Sequence, residues 1–257
     1  MVHSLTTLPT ALVLIALLTL ATACATQDTP EPTATPNIDP AALLAETAAN
    51  VKATRSAMFS VTHETGSIFI RPFSAKITEV TGSWDADKGA DFTADAYLVP
   101  NPETEPTSGT YIQMQVVITR EGYYAADPLS GAWIKQSPTL SPIPVDRLAE
   151  IMAEVVAETG NPVLMGQEVV ADTNAYKISG TAPASVMNWL PITAQEGQIL
   201  QVEIWTGVEE RMLRRLRATG PVGQFDRPDT VRSITLTDIN EPVEIEPPDN
   251  FVDLTGG

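Results

Sequence analysis

The sequence predicts an α+β fold: a large, curved antiparallel sheet with helices packed on its apolar face. Several stretches alternate apolar and polar residues with the period of a half-buried strand, short turn-forming links join them, and only a few stretches carry a helical period. Strands joined by links this short pair antiparallel, because a parallel pair needs a crossover of a dozen or more residues.

The chain opens with an apolar run, Ala11-Leu12-Val13-Leu14-Ile15-Ala16-Leu17-Leu18-Thr19-Leu20, followed by the small residues Ala21-Thr22-Ala23. Such a run reads as a secretory export peptide and is too short to span a bilayer comfortably. The sole cysteine, Cys24, comes next. Leu20-Ala21-Thr22-Ala23-Cys24 resembles the lipobox of bacterial lipoproteins, in which the thiol receives a diacylglyceryl group and the chain is cut just before it. The resemblance implies a signal peptide over 1–23, a lipidated Cys24 and an extracytoplasmic protein held to a membrane by acyl chains. Residues 25–39 carry three prolines and almost nothing apolar, so 24–39 reads as lipidated cysteine plus extended tether. Residues 40–257 are left to form the folded domain.

Asp39-Pro40 reads as an N-cap followed by proline at the first helical position, and a helix is predicted over 41–55. Leu43, Leu44, Thr47, Ala48 and Val51 fall on one face of it. A second helix is predicted to begin near Pro144 and to stop before a turn at Gly160-Asn161-Pro162. Val145, Leu148, Met152, Val155 and Val156 share one side of this helix. A shorter third candidate covers 183–190.

Strand alternation is clearest at Phe92, Ala94, Ala96, Leu98; at Ile112, Met114, Val116, Ile118; at Leu200, Val202, Ile204; and at Ile234, Leu236. Asp85-Ala86-Asp87-Lys88-Gly89 and Asp127-Pro128-Leu129-Ser130-Gly131 carry turn chemistry.

The net charge of −17 comes from 32 acidic and 15 basic residues, all of them after the export peptide. A chain this acidic is repelled by phosphate backbones and anionic headgroups, which argues against nucleic-acid binding and against adhesion through general charge. Arg211, Arg214, Arg215 and Arg217 are the local exception. They form either the solvated face of a strand or a place that meets an anionic lipid headgroup.

Enzymatic motifs are sparse. His63 is the single histidine beyond the export peptide, no Gly-x-Ser-x-Gly elbow accompanies it, and His63-Glu64 lacks the second histidine of a zinc protease. His63 therefore reads as a strand residue with its imidazole satisfied locally. Asp85, Asp87 and Asp91 fit a hairpin turn better than a calcium loop. No catalytic residue, metal ligand or cofactor is assigned. Met58, Met114, Met152, Met165, Met187 and Met212 suit an adaptable apolar pocket or a filled core, and periodicity alone does not separate the two.

Several stretches, in order, resemble the LppX/LprA/LprF/LprG family of bacterial lipoproteins. They include Ala57-Met58-Phe59-Ser60-Val61, Gly122-Tyr123-Tyr124, Gly166-Gln167-Glu168-Val169, Ala175-Tyr176-Lys177-Ile178-Ser179-Gly180, Val202-Glu203-Ile204-Trp205 and Ile234-Thr235-Leu236-Thr237-Asp238. The resemblance implies a half-open β-barrel, similar to the lipid carrier LolA, around an apolar cavity plugged by helices. It also implies carriage of lipids or lipoglycans across the cell envelope.

Two functions are expected on these grounds. In the first, the chain is a membrane-anchored lipoprotein holding an acylated lipid or lipoglycan. Ile112, Met114, Val116, Leu200, Val202 and Ile204 would form the sheet wall, and Leu148, Met152 and Val155 the helical lid. In the second, it is an envelope sensor or structural lipoprotein that uses the same fold to contact a protein partner.

Overall fold

The computed structural model describes residues 38–188 and 193–255, apart from the side chain of Pro72. The expected export peptide, Cys24 and the expected tether up to residue 37 lie outside the described residues.

The Asp39 carboxylate accepts from the backbone N–H of Ala41 at 2.9 Å, capping α1 (Pro40–Lys52) with proline at its first position. The buried face is the predicted Leu43, Leu44, Thr47, Ala48 and Val51. The helix stops short of the predicted residue 55. The backbone N–H of Arg55 donates instead to Asn240 Oδ1 at 2.8 Å, which takes the chain out of the helical ladder and into β1 (Ser56–Thr65).

The first half continues as β2 (Ile68–Ile70), β3 (Ala75–Asp85), β4 (Gly89–Leu98), β5 (Thr110–Thr119), β6 (Gly122–Ala126) and β7 (Trp133–Gln136). After α2 (Leu148–Ala157) come β8 (Gly160–Val170), β9 (Thr173–Pro183), β10 (Ile199–Gly207), β11 (Leu213–Thr219), β12 (Val231–Thr237) and β13 (Val252–Asp253). The Asp85 and Asp127 turns form as predicted. Asp85 Oδ1 accepts from the N–H groups of Asp87 and Lys88, and Asp127 Oδ1 accepts from those of Leu129 and Ser130.

All thirteen strands belong to one open sheet, ordered β13-β7-β6-β5-β4-β3-β1-β12-β11-β10-β9-β8, with β2 paired to β3 off this path. Two antiparallel meanders, β3 to β7 and β8 to β12, are joined where β1 pairs with both β3 and β12. A sheet this wide curls instead of lying flat. Bulges at His63/Thr65, Ile77/Glu79 and Trp205/Thr206 add local bends. Helices α1 and α2 pack against each other and against the inward face of the curl.

Four expectations need correction. The sheet is not wholly antiparallel, because β13 runs parallel to β7. The chain after β12 crosses the outer face, where Lys88 Nζ donates to Val243 O at 2.6 Å and Val243 and Ile245 pack on Val117, Tyr124 and Trp133, before it returns along β7. The second helix does not start at Pro144: residues Val145–Arg147 form a 3-10 turn and α2 begins at Leu148. Trp84 Nε1 donates to Val145 O at 2.6 Å and draws away the carbonyl that would open the α-helical ladder. Gly160-Asn161-Pro162 is not a free turn but the bulged start of β8, with Gly160 opposite Thr181 and Asn161 at φ 52°. The third helix is only a 3-10 turn, Ala184–Met187, and residues 189–190 of that prediction lie outside the described residues.

Candidate functional site

Alternation along the paired strands fixes which side chains point inward. On β1 these are Ala57, Phe59, Val61 and His63; opposite them on β12 lie Leu236, Ile234 and Arg232. On β5, Ile112, Met114, Val116 and Ile118 face the same way as Ala96, Ala94, Phe92 and Ala90 of β4.

The helices cover this face unevenly. The largest buried cluster joins Leu43, Leu44, Ala48 and Val51 of α1 and Ala153, Val155 and Val156 of α2 to residues of β9 to β12. A second cluster sets Ala149, with Leu148 beside it, on Trp84, Ala90, Phe92, Val116 and Ile118. Between these two seals, inward-facing Phe59, Val61, Val80, Met114 and Ile234 are only half-buried. They form a partly open apolar strip beside α2.

At one margin of this strip, Met152 and Val155 of α2 meet Met187, Leu213, Leu216 and Ile234 around a void of about 10 Å³. That is at most the room of a single water, and every lining residue is apolar.

The nine residues expected to form wall and lid fall into four groups. Leu200, Val202 and Ile204 are sealed in the largest cluster, each 1% exposed or less. Val116 and Leu148 meet in the second cluster, while Ile112 and Met114 form a third with Ala75 and Ala96. Met152 and Val155 border the void. Sequence reasoning missed Met187, Leu213, Leu216 and Ile234 as their partners. Leu213 and Leu216 share a face despite a spacing of three because the bulge opposite Trp205/Thr206 inserts Arg214 as an extra residue. That odd spacing inside a strand pattern was the available signal.

The outer face carries charge. Glu168 of β8, Lys177 of β9, Glu203 of β10, Arg217 of β11 and Glu64 of β1 form an ion-pair ladder of alternating sign, with contacts of 2.8 to 3.3 Å. The guanidinium of Arg217 holds the Glu64 carboxyl below its ordinary range, and the indole N–H of Trp205 does the same for Glu168. Burial alone would raise Glu203, but Lys177 and Arg217 outweigh it and keep it low.

Each member of the arginine run makes such a contact, although Nη1 of Arg211 is buried without a partner among the described residues. Arg211 sits over the Tyr176 ring, Arg214 pairs with Glu210, Arg215 donates to Thr235 and lies over Trp205, and Arg217 joins the ladder. These contacts tie the run to its strand and turn.

At one end of the inward strip is a polar cluster. Arg232, 4% exposed, pairs with the buried Asp226 at 2.5 Å and also reaches Gly220 O. His63 lies directly opposite Arg232 and donates through Nδ1 to Thr78 O at 3.1 Å. Burial and then the Arg232 charge push its pKa down to about 4. Its imidazole is only half satisfied, contrary to the expectation of a locally satisfied ring: Nε2 is buried and has no partner among the described residues.

Among the described residues, no group of three or more His, Cys, Asp and Glu side chains is disposed to hold a metal ion. No described helix is long and apolar enough to cross a membrane.

A family model for the LppX_LprAFG lipoproteins matches residues 39–245, which include both helices and every strand but β13. The chain belongs to the LppX_LprAFG lipoprotein family. No curated protein matches it. Among solved structures it is similar to LprF from Mycobacterium bovis, at 18% identity and a TM-score of 0.60 over 81% of this chain and 96% of that one. It is also similar to the lipoprotein LppX from Mycobacterium tuberculosis, at 18% identity and a TM-score of 0.52 over 81% of this chain and 100% of that one. A LolA superfamily protein from Nitrosomonas europaea aligns over 82% of this chain and 96% of its own length at 11% identity, but its TM-score of 0.24 carries no weight. The LppX_LprAFG fold is thus established for this chain, and with it a lipoprotein of the cell envelope.

Proposed function

We propose that this lipoprotein takes the hydrocarbon of an acylated lipid or lipoglycan onto its inward apolar strip and carries it within the envelope. In this reading residues 1–23 are removed on export, acyl chains on Cys24 hold the protein at the membrane, and 25–39 let the domain at 40–257 stand clear of it. The observation that carries the proposal is the strip itself: half-buried apolar residues on four strands, next to a helix whose ends are weakly fixed. Helix α2 has no side-chain cap at its N-terminus and is flanked by a 3-10 turn and by the bulged, positive-φ start of β8. Outward movement of α2 would enlarge the small void, and the flexible thioethers of Met152 and Met187 suit a wall that must re-form around a tail. Each buried CH₂ of that tail would contribute about 0.8 kcal/mol. No covalent step is involved.

The dense packing of Leu200, Val202 and Ile204 beneath the helices favours the second reading, an envelope sensor or structural lipoprotein that contacts a protein partner. One experiment separates the two. A version lacking residues 1–24 is purified and its organic extract analysed by mass spectrometry. Reproducible co-purified lipid, lost when Ile234→Trp fills the void, is the expected result. A lipid-free protein that also fails to take up added lipid overturns carriage.

A further inference from the structure

We infer that Nε2 of His63 and the Nε–H of Arg232 together hold one hydroxyl group, carried on the head of an amphiphile whose tail lies along the inward strip. The inference rests on the lipid-binding reading above and names the chemistry of the head. His63 and Arg232 are cross-strand neighbours on β1 and β12. Both point inward, and the next inward residues, Val61 and Ile234, stand about 6.6 Å further along each strand at the start of the apolar strip.

Each of the other side-chain nitrogens of His63 and Arg232 has a partner. Arg232 gives one Nη to Asp226 and the other to Gly220 O, while Asp226 Oδ2 also accepts from the N–H groups of Val222 and Gly223. Because Thr78 O can only accept, His63 Nδ1 carries the ring proton and Nε2 presents a lone pair. One donor, Arg232 Nε–H, and one acceptor, His63 Nε2, are left buried and without partners among the described residues.

A hydroxyl accepts from the first and donates to the second at once. A phosphodiester brings no proton for Nε2, and any phosphate meets the Asp226 carboxylate, which already neutralises Arg232; an ammonium is repelled by Arg232. The desolvated imidazole stays neutral at pH 7, so its lone pair is available to the hydroxyl proton. Sugar and glycerol heads supply such hydroxyls.

Native mass spectrometry of the full chain, with three probes at equal concentration, tests this. The probes are 1-monomyristoylglycerol, methyl myristate and free glycerol. The monoglyceride should bind about tenfold better than the methyl ester, the effect of one buried hydrogen-bonded hydroxyl, and glycerol alone should not bind. In His63→Leu the preference should fall to near unity while methyl myristate binding is retained, which shows that the variant is folded; His63→Gln, which keeps an acceptor, should restore part of it. Equal binding of the two esters by the wild type, a preference that survives His63→Leu, or binding of glycerol alone overturns the inference and leaves lipid carriage standing. If neither ester binds, the carriage reading fails and this one with it.

Discussion

At the scale of single residues, His63 is the group through which pH acts on stability above the carboxylate range. Its pKa is about 4 in the folded protein against 6.5 in an exposed chain, so between these values the unfolded state binds more protons. Its full contribution is present above pH 6.5 and is lost as pH falls toward 4. At 1.36 kcal/mol per unit, moving from pH 7 to pH 5 costs about 2 kcal/mol. Urea unfolding at those two pH values should show that loss in the wild type and little of it in His63→Gln. The paired carboxylates Glu64, Glu168 and Glu203 are held low and weaken the fold only at more acidic pH.

At the scale of elements, the β8–β9 hairpin turns on Ala171 and Asp172, at φ 45° and 62°. Two successive left-handed residues form the turn whose twist suits a two-residue hairpin, and alanine is poorly matched to it. Replacing the pair by Ala171→Asn with Asp172→Gly should raise unfolding stability by about 1 kcal/mol, measurable as an increased denaturation midpoint at unchanged slope. This hairpin also shows what could be read from the sequence. Period-two alternation located β4, β5, β10 and β12, and Asp39-Pro40 located the start of α1, because those features depend on neighbours along the chain. Ala171-Asp172 carries no glycine or asparagine, so its turn was silent. The late start of α2 depends on Trp84, more than sixty positions away, and the cluster around the void depends on a bulge; neither has a local cause. His63 was legible as a strand residue, but its position opposite Arg232 required the register.

At the scale of the whole molecule, the two faces of the sheet have different tasks. The outer ladder from Glu168 to Glu64 crosses the second meander and reaches β1, linking that meander to the strand that joins it to the first. The inward face is sealed at β9 to β11 and partly open at β1, β3 and β12, so stability should be graded in the same sense. Hydrogen exchange should therefore find the amides of β9 and β10 the slowest and those of α2 markedly faster, with added lipid slowing α2 selectively. Protection of α2 equal to that of β10, unchanged by lipid, would show that the helix is fixed in place.

The parallel β13–β7 pair has a consequence in time. Lys135 and Asp253, joined by an ion pair at this edge, are 118 positions apart, so during export β7 is delivered long before the segment that covers it. Until then it presents bare backbone donors and acceptors to any passing chain. The first meander thus remains vulnerable to mispairing while the second is still in transit, and the final strand acts as the latch that ends that interval.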